Sequence, residues 1–307
     1  MRGKARIVRT ANIGYNKRMN MLTVFATEQE EDRAVEAVLK EAFGVSESYL
    51  RRLKRRKGAL LLNGEPAYTT AKVHAGDTVA FDPSDERKLD LNPIPSPLSI
   101  VYEDEWLIVL DKPKNMSVHP ARDPFEATVE NALAAYFTGR DNPHPVSRLD
   151  KGTTGLMTVA KSGYVHARMK TVQQQGTFQK TYLAVVSGVP ERRQFLIDAP
   201  IGPMPGSTYR RTVRADGAEA RTLCEVLETR EDRALVRLTP FSGRTHQLRV
   251  HMAYAGNPLF GDWLYGERSE RIDRPALHAA ELSFVHPMTG ETLSLVSPLP
   301  EDMKRLL

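Results

Sequence analysis

Three polar clusters in this sequence carry the residue types that do chemistry. The first is Val146-Ser147-Arg148-Leu149-Asp150-Lys151-Gly152-Thr153-Thr154-Gly155, set directly before the apolar residues Leu156, Met157 and Val159. An acid between Arg148 and Lys151 in a Gly/Thr-rich loop is expected to be a carboxylate kept ionised by neighbouring charge. The same residues would serve equally as a loop ion pair with Asp150 as turn former, and spacing does not separate the two. The second cluster is Lys180-Thr181-Tyr182-Leu183-Ala184-Val185-Val186. Strand alternation puts Lys180 and Tyr182 on one face and Leu183 and Val185 on the other, although a lone strand tyrosine is normally a packing residue. The third is Phe241-Ser242-Gly243-Arg244-Thr245-His246-Gln247-Leu248-Arg249-Val250-His251-Met252. Polar density of that kind beside Leu238, Leu248 and Val250 costs free energy unless something binds there.

Other chemistries lose their support. The sequence has no G-x-G-x-x-G, no P-loop and no G-x-S-x-G, which speaks against nucleotide-cofactor and hydrolase readings. His246 and His251 are five apart, so they do not stack on one helix face as a metal pair at i, i+4 does; each reads as a structural hydrogen-bonder or an RNA contact. A single cysteine, Cys224, allows no internal disulfide and makes a structural zinc site improbable.

The elements that must position these clusters follow from periodicity. In the 307 residues, 41% are apolar and 26% charged, an ordinary globular composition. No apolar run approaches the ~20 residues of a membrane span. The basic first 26 residues lack the apolar core of a secretory signal, so a cytoplasmic protein is expected. Residues 1–21 read as a flexible basic arm, with Met19 and Met21 as further candidate starts. A strand is expected at 22–25 and a helix at 31–43, where Val35, Val38, Leu39, Ala42 and Phe43 recur at helical spacing, ended by Gly44. A second helix, capped by Ser46 or Ser48 and stopped by Gly58, turns Tyr49, Leu50 and Leu53 inward. A strand at 59–62, the Asn63-Gly64 turn and a strand at 78–81 complete a small unit.

That unit holds most of the charge surplus. The chain is net +5, and residues 1–90 contain 17 basic against 13 acidic residues. Arg51, Arg52, Lys54, Arg55, Arg56 and Lys57 fall within seven positions with no acid among them. Most charge runs are solvated helix faces, but a cluster this dense favours a nucleic-acid partner. Residues 83–97, with Pro83, Pro93, Pro95 and Pro97, read as a linker. Beyond it, strands are expected at 99–102, 106–110, 155–160, 178–187, 220–228, 234–239, 281–285 and 292–297, and helices at 127–137, 163–174 and 245–255. Such a pattern predicts an α+β domain on a large, mainly antiparallel mixed sheet with flanking helices.

At this point the sequence resembles the RluA-like pseudouridine synthases over about residues 99 to 298. The resemblance rests on Leu110-Asp111-Lys112-Pro113 with Val118-His119-Pro120, the R-L-D-x-x-T-[ST]-G loop at 148–155, the K-x-Y strand at 180–182, and G-R-T-H-Q-L-R-V-H from Gly243 to His251 with Gly261-Asp262 after it. One departure stands out: Ser147 occupies the place where the family loop usually has His. The amino-terminal unit is similar to the small S-four-type RNA-binding domain that many members carry.

The resemblance implies an isomerase that detaches uracil from its ribose within RNA, turns it and rejoins it through ring carbon 5. It implies that Asp150 engages the ribose, as nucleophile at the anomeric carbon or as base at the neighbouring one. Arg244 matches the position that pairs with this acid. Tyr182 would stack on the target base and accept a proton late in the reaction, and Arg148 would fill the gap left by the extruded nucleotide. No cofactor or metal is implied. The expected organisation is an arm (1–21), a small RNA-binding domain (22–82), a proline-rich linker (83–97) and a catalytic domain (98–307). The chain is expected to act as a monomer on ribosomal RNA, or else transfer RNA, away from membranes. Two competing readings are an RNA-binding or ribosome-assembly factor that has lost catalysis, and a DNA-binding regulator, which explains only the basic run.

Overall fold

The computed structural model describes residues 7–9, 21–85, 91–120, 126–137 and 141–307, with backbone alone for the first three. The arm at 1–21 therefore lies largely outside the described residues, but Ile7–Arg9 is an edge strand paired with Leu22–Phe25. Residues 86–90 of the proline-rich stretch also lie outside, and the rest of it forms no regular element.

The first sheet has five antiparallel strands in the order Ile7–Arg9, Leu22–Phe25, Thr78–Phe81, Leu60–Leu62, Glu65–Pro66. Asn63 and Gly64, at φ 53° and 84°, make the tight turn between the last two. The helix Val35–Phe43 buries Val35, Val38, Leu39 and Phe43, starts later than its periodicity predicts, and ends on Gly44 in the left-handed region. Residues 28–34 form a 3-10 turn and a short strand instead.

The second helix, Glu47–Leu53, is capped by Ser46 and ends five residues before Gly58. The basic run is thus not one helix face: Arg51 and Arg52 are helical, and positions 54–57 form the turn after it. Nor is the run all solvated. Arg56 folds inward to Asp82 at 2.5 Å, and Lys54 lies 3.4 Å from Glu36. Acids distant in sequence compensate the charge that the run itself leaves unbalanced.

The second sheet has ten strands; the Lys180 cluster lies on one of them and the Asp150 loop runs into another. Its main path runs Gln194–Asp198, Arg221–Thr229, Arg233–Pro240, Gln179–Ser187, Leu277–Val285, Thr154–Ala160, Leu107–Lys112, Ile100–Glu103. Every pairing is antiparallel except Thr154–Ala160 with Leu277–Val285, where Thr154 opposes His278. Strand alternation splits the core between the two faces. Leu107, Val109, Leu156 and Ala160 face one cluster, while Ile108, Leu110, Met157 and Val159 face the other.

The first of these clusters is shared with the amino-terminal unit. Tyr164, on the helix Gly163–Gln174, packs edge-on against Phe81 at 5.3 Å and donates a 2.9 Å hydrogen bond to the Phe43 carbonyl. Asp85 accepts from the Gly163 N–H at 2.7 Å and pairs with His144 at 2.6 Å. Burial raises the pKa of this carboxyl, but its His144 partner, the Gly163 amide and Arg52 lower it more, so it stays ionised at the seam. Among the described residues, no helix is long and apolar enough to cross a membrane.

Candidate active site

The Asp150 loop opens onto a cleft of about 920 Å³ on the face of the large sheet. Three elements converge there. Thr154–Ala160, buried along its whole length, fixes the end of the loop. Gly155, at φ 106°, lies so close to the neighbouring strand that a Cβ would sit 2.3 Å from the Ala279 carbonyl oxygen. Only glycine fits both that conformation and that space. Gln179–Ser187 brings Lys180 and Tyr182 to the same cleft on one strand face, as alternation predicts. The helix Gln247–Tyr254 supplies Gln247, Leu248 and Arg249.

Asp150 is the single carboxylate among the residues lining the cleft, against six cations: Arg148, Lys151, Lys170, Lys180, Arg244 and Arg249. The guanidinium beside it is Arg249, whose Nη1 stands 3.5 Å from Asp150 Oδ2. Arg249 is held from behind, donating through Nε and Nη2 to the two oxygens of fully buried Asp262 at 2.7 and 2.6 Å. Arg244, the residue expected to pair with the acid, does not. It precedes the helix, is exposed, and its Nε donates to the Glu219 carbonyl at 3.0 Å. The helix begins only at Gln247, so the side chain that reaches back to Asp150 comes from its third residue. Arg148 lies exposed on the rim and Ser147 lines the wall.

Tyr182 is nearly buried, and burial together with the Asp150 charge raises its pKa, so its hydroxyl keeps its proton. Lys180 has its amine 5.2 Å from the Phe178 ring, and burial lowers its pKa to about 8.

Lys112, which the sequence shows only as part of the 110–113 block, lies beneath the Asp150 loop. Its ammonium is buried and donates to the carbonyls of Pro113 (2.9 Å), Met116 (2.9 Å) and Lys151 (3.2 Å). Burial pushes its pKa down to about 8, against the pull of Asp150. A lysine fastening the Asp150 loop from beneath has no signature in spacing, because the contact spans 39 residues. Tyr265, 19 residues from the His246 it contacts, has no spacing signature either, and Asp262 shows only as part of the Gly261-Asp262 block, not as the anchor of Arg249. No group of three or more His, Cys, Asp or Glu among the described residues could hold a metal ion.

An RNA pseudouridylate synthase family model matches residues 106–254, which contain all three polar clusters. Over 268 residues the chain is 38% identical to "Uncharacterized RNA pseudouridine synthase YjbO" of Bacillus subtilis (strain 168), covering 86% of this chain and 95% of the relative. The chain belongs to the RluA-like RNA pseudouridine synthases. It is 37% identical to ribosomal large subunit pseudouridine synthase D of Vibrio cholerae, over 80% of this chain and 82% of that one. Among solved structures it resembles human RNA pseudouridylate synthase domain containing 1, at 27% identity and a TM-score of 0.55, covering 66% of this chain and 83% of that chain. As a pseudouridine synthase it is an isomerase of uridine in RNA, on the α+β fold with the mainly antiparallel mixed sheet that the sequence predicts.

Proposed function

We propose that this pseudouridine synthase modifies uridine in large-subunit ribosomal RNA, and that Asp150 is its catalytic carboxylate. The observation that carries the assignment is one acid against six cations in the cleft lining: phosphates are drawn in, and one carboxylate meets the sugar. The reaction breaks the bond from uracil N1 to ribose C1′ and forms one from C5 to C1′. The proton on C5 leaves and N1 gains one, so nothing is oxidised and no group is lost to solvent. Asp150 acts on the ribose, at C1′ as nucleophile or at C2′ as base. Arg249, anchored on Asp262, holds the carboxylate in place and balances its charge. Tyr182 provides the surface on which the detached base stacks, worth about 1–3 kcal/mol for such contacts. Arg148 fills the space vacated by the extruded nucleotide, and Arg244 contacts phosphate at the rim.

Residues 22–82 act as a small S-four-type RNA-binding domain, 83–97 as its linker and 98–307 as the catalytic domain. What supports this is the separate five-stranded sheet and the exposed Arg51, Arg52, Arg55 and Lys57. A monomer acting in the cytoplasm completes this reading. Ribosomal RNA is favoured because that is what the similar Vibrio cholerae enzyme is named for.

The test is release of tritium from C5 of labelled uridine in large-subunit ribosomal RNA and transfer RNA transcripts, with chemical mapping of the product. Asp150→Asn and Asp150→Ala should abolish release while leaving folding and RNA affinity close to wild type. Turnover by the Ala variant would remove Asp150 from the chemistry. An inactive wild type that still binds RNA would support the assembly-factor reading.

A further inference from the structure

His246 stands at φ 56° and ψ 19°, in the left-handed region, at the start of the helix Gln247–Tyr254. A non-glycine residue in that conformation is held there by its surroundings. Its side chain makes no capping bond. Gln247 does the local polar work instead, its Oε1 accepting from the Arg244 N–H at 3.0 Å and the Ser242 hydroxyl at 2.8 Å. The imidazole is left free to line the cleft. Tyr265 holds it there, with the hydroxyl 2.8 Å from Nδ1 and the rings edge-on at 5.6 Å.

That contact also sets the tautomer. The Tyr265 hydroxyl accepts the Arg211 backbone N–H at 2.9 Å, and burial raises its pKa, so the phenol keeps its proton. Among the described residues, His246 Nδ1 is the acceptor available to that proton. Nδ1 is therefore bare and Nε2 carries the hydrogen. Burial also lowers the His246 pKa, with Asp150 opposing, which favours the neutral ring. Nε2 lies 4.0 Å from Asp150 Oδ1, too far for a direct hydrogen bond. One hydroxyl oxygen about 2.8 Å from each atom would bridge them, accepting from Nε2–H and donating to the carboxylate. In an internal nucleotide the 3′ and 5′ oxygens are esterified, so the 2′-hydroxyl is the free one.

We propose that His246, fixed as the Nε2–H tautomer by Tyr265, grips the 2′-hydroxyl of the target nucleotide together with Asp150 Oδ1, making the pair a reader of ribose. The grip leaves the other carboxylate oxygen facing C1′ and C2′, both within a bond or two of that hydroxyl. The proposal rests on the assignment of Asp150 given above.

Its test has two arms. The first needs no RNA: the full chain is labelled with ¹⁵N at histidine, and His246 is assigned by the resonance lost in His246→Asn, a residue that tolerates the left-handed conformation. The expected spectrum near neutral pH shows one neutral Nε2–H tautomer, becoming a mixture in Tyr265→Phe. An Nδ1–H tautomer or a charged ring would overturn the proposal. The second arm compares affinities for a large-subunit ribosomal RNA transcript and the same transcript with 2′-fluorouridine. His246→Asn and Tyr265→Phe should each weaken binding of the hydroxyl-bearing transcript, the first by about ten-fold, the scale of one hydrogen bond to a charged pair. Both losses should vanish on the fluorinated transcript, as for two groups acting through one contact. Equal losses on both transcripts would refute the ribose grip while leaving Asp150, tested by tritium release, untouched.

Discussion

Two arginines five residues apart compete for the same role, and a pair of conservative substitutions separates them. Arg249 approaches Asp150 at 3.5 Å and forks onto Asp262, whose side chain is 0% exposed. Full charges at that distance and an effective dielectric of about 20 interact by about 5 kcal/mol. Asp150 is partly solvated and the guanidinium charge is spread, so the recoverable part is nearer one charge-assisted hydrogen bond, about 1.5–3 kcal/mol. Arg249→Lys keeps the charge but not the fork, and an ammonium satisfied by Asp262 no longer reaches Asp150. At about 1.4 kcal/mol per decade, single-turnover tritium release should slow roughly 10- to 100-fold. The melting temperature should fall by several degrees, since one of two bonds to a buried carboxylate is lost. Arg249→Leu strands Asp262 altogether and should cost about 3–5 kcal/mol of stability. Arg244→Lys, by contrast, gives up one bond from an exposed Nε to the Glu219 carbonyl, and the rate at saturating RNA should stay within about three-fold of wild type. A silent Arg249→Lys beside a crippled Arg244→Lys would refute the geometry.

Replacing Arg51, Arg52, Arg55 and Lys57 by Gln should flatten the slope of log affinity against log salt by about 0.7 per contact on single strands and about 0.9 on duplex, with the rate at saturating RNA little changed. Arg56→Gln should instead destabilise the fold, because Asp82 is buried against it; an Arg56→Gln protein as stable as wild type would contradict the pairing. Lys112 loses its proton near pH 8 in the native chain and near 10.5 when unfolded, so its contribution to stability rises with pH between those values. At about 1.4 kcal/mol per pH unit the rise is on the order of 3 kcal/mol. Denaturant titrations at pH 7 and 10 should show it as a difference between wild type and Lys112→Met, and identical pH dependence in the two would discard it.

Periodicity was enough to locate elements whose burial is regular. The strand Thr78–Phe81 and the helix Gly163–Gln174 have the predicted bounds, because their apolar spacing matches one period from end to end. The short strands Gln194–Asp198, Ile201–Pro203 and Arg211–Val213 went unread: three to five residues with mixed exposure leave no period to detect. Within the site, the Asp150 loop and the K-x-Y strand were visible because each is a local pattern. The choice between Arg244 and Arg249 was not. It depends on where a helix starts, and that start is set by His246 in a left-handed conformation its residue type does not announce. The basic run misled in the opposite way, since the acids that engage Lys54 and Arg56 lie 18 and 26 residues away in sequence.

The same long-range logic explains how a loop can hold the proposed reacting group still. Loops are the mobile parts of a fold, whereas a carboxylate acting on a sugar has to be placed to within about half an ångström. Here the backbone is pinned and the side chain left free. Lys112 donates to the Lys151 carbonyl, and Arg274, itself forked onto Asp302, donates to the Gly152 carbonyl at 3.3 Å. The Thr153 N–H closes a turn on the Asp150 carbonyl at 3.0 Å. The Thr154 hydroxyl meets His278 at 2.9 Å, and Gly155 lies flat against Ala279. Five consecutive residues after Asp150 are thus each tied to the scaffold or to the turn, while the Asp150 carboxylate keeps about a third of its surface open to the cleft. Two of these ties come from buried cations, Lys112 and Arg274. Leu110-Asp111-Lys112-Pro113 contributes no group to the proposed chemistry, yet it supplies the lysine beneath the loop, and that is a physical reason for the block to accompany the acid.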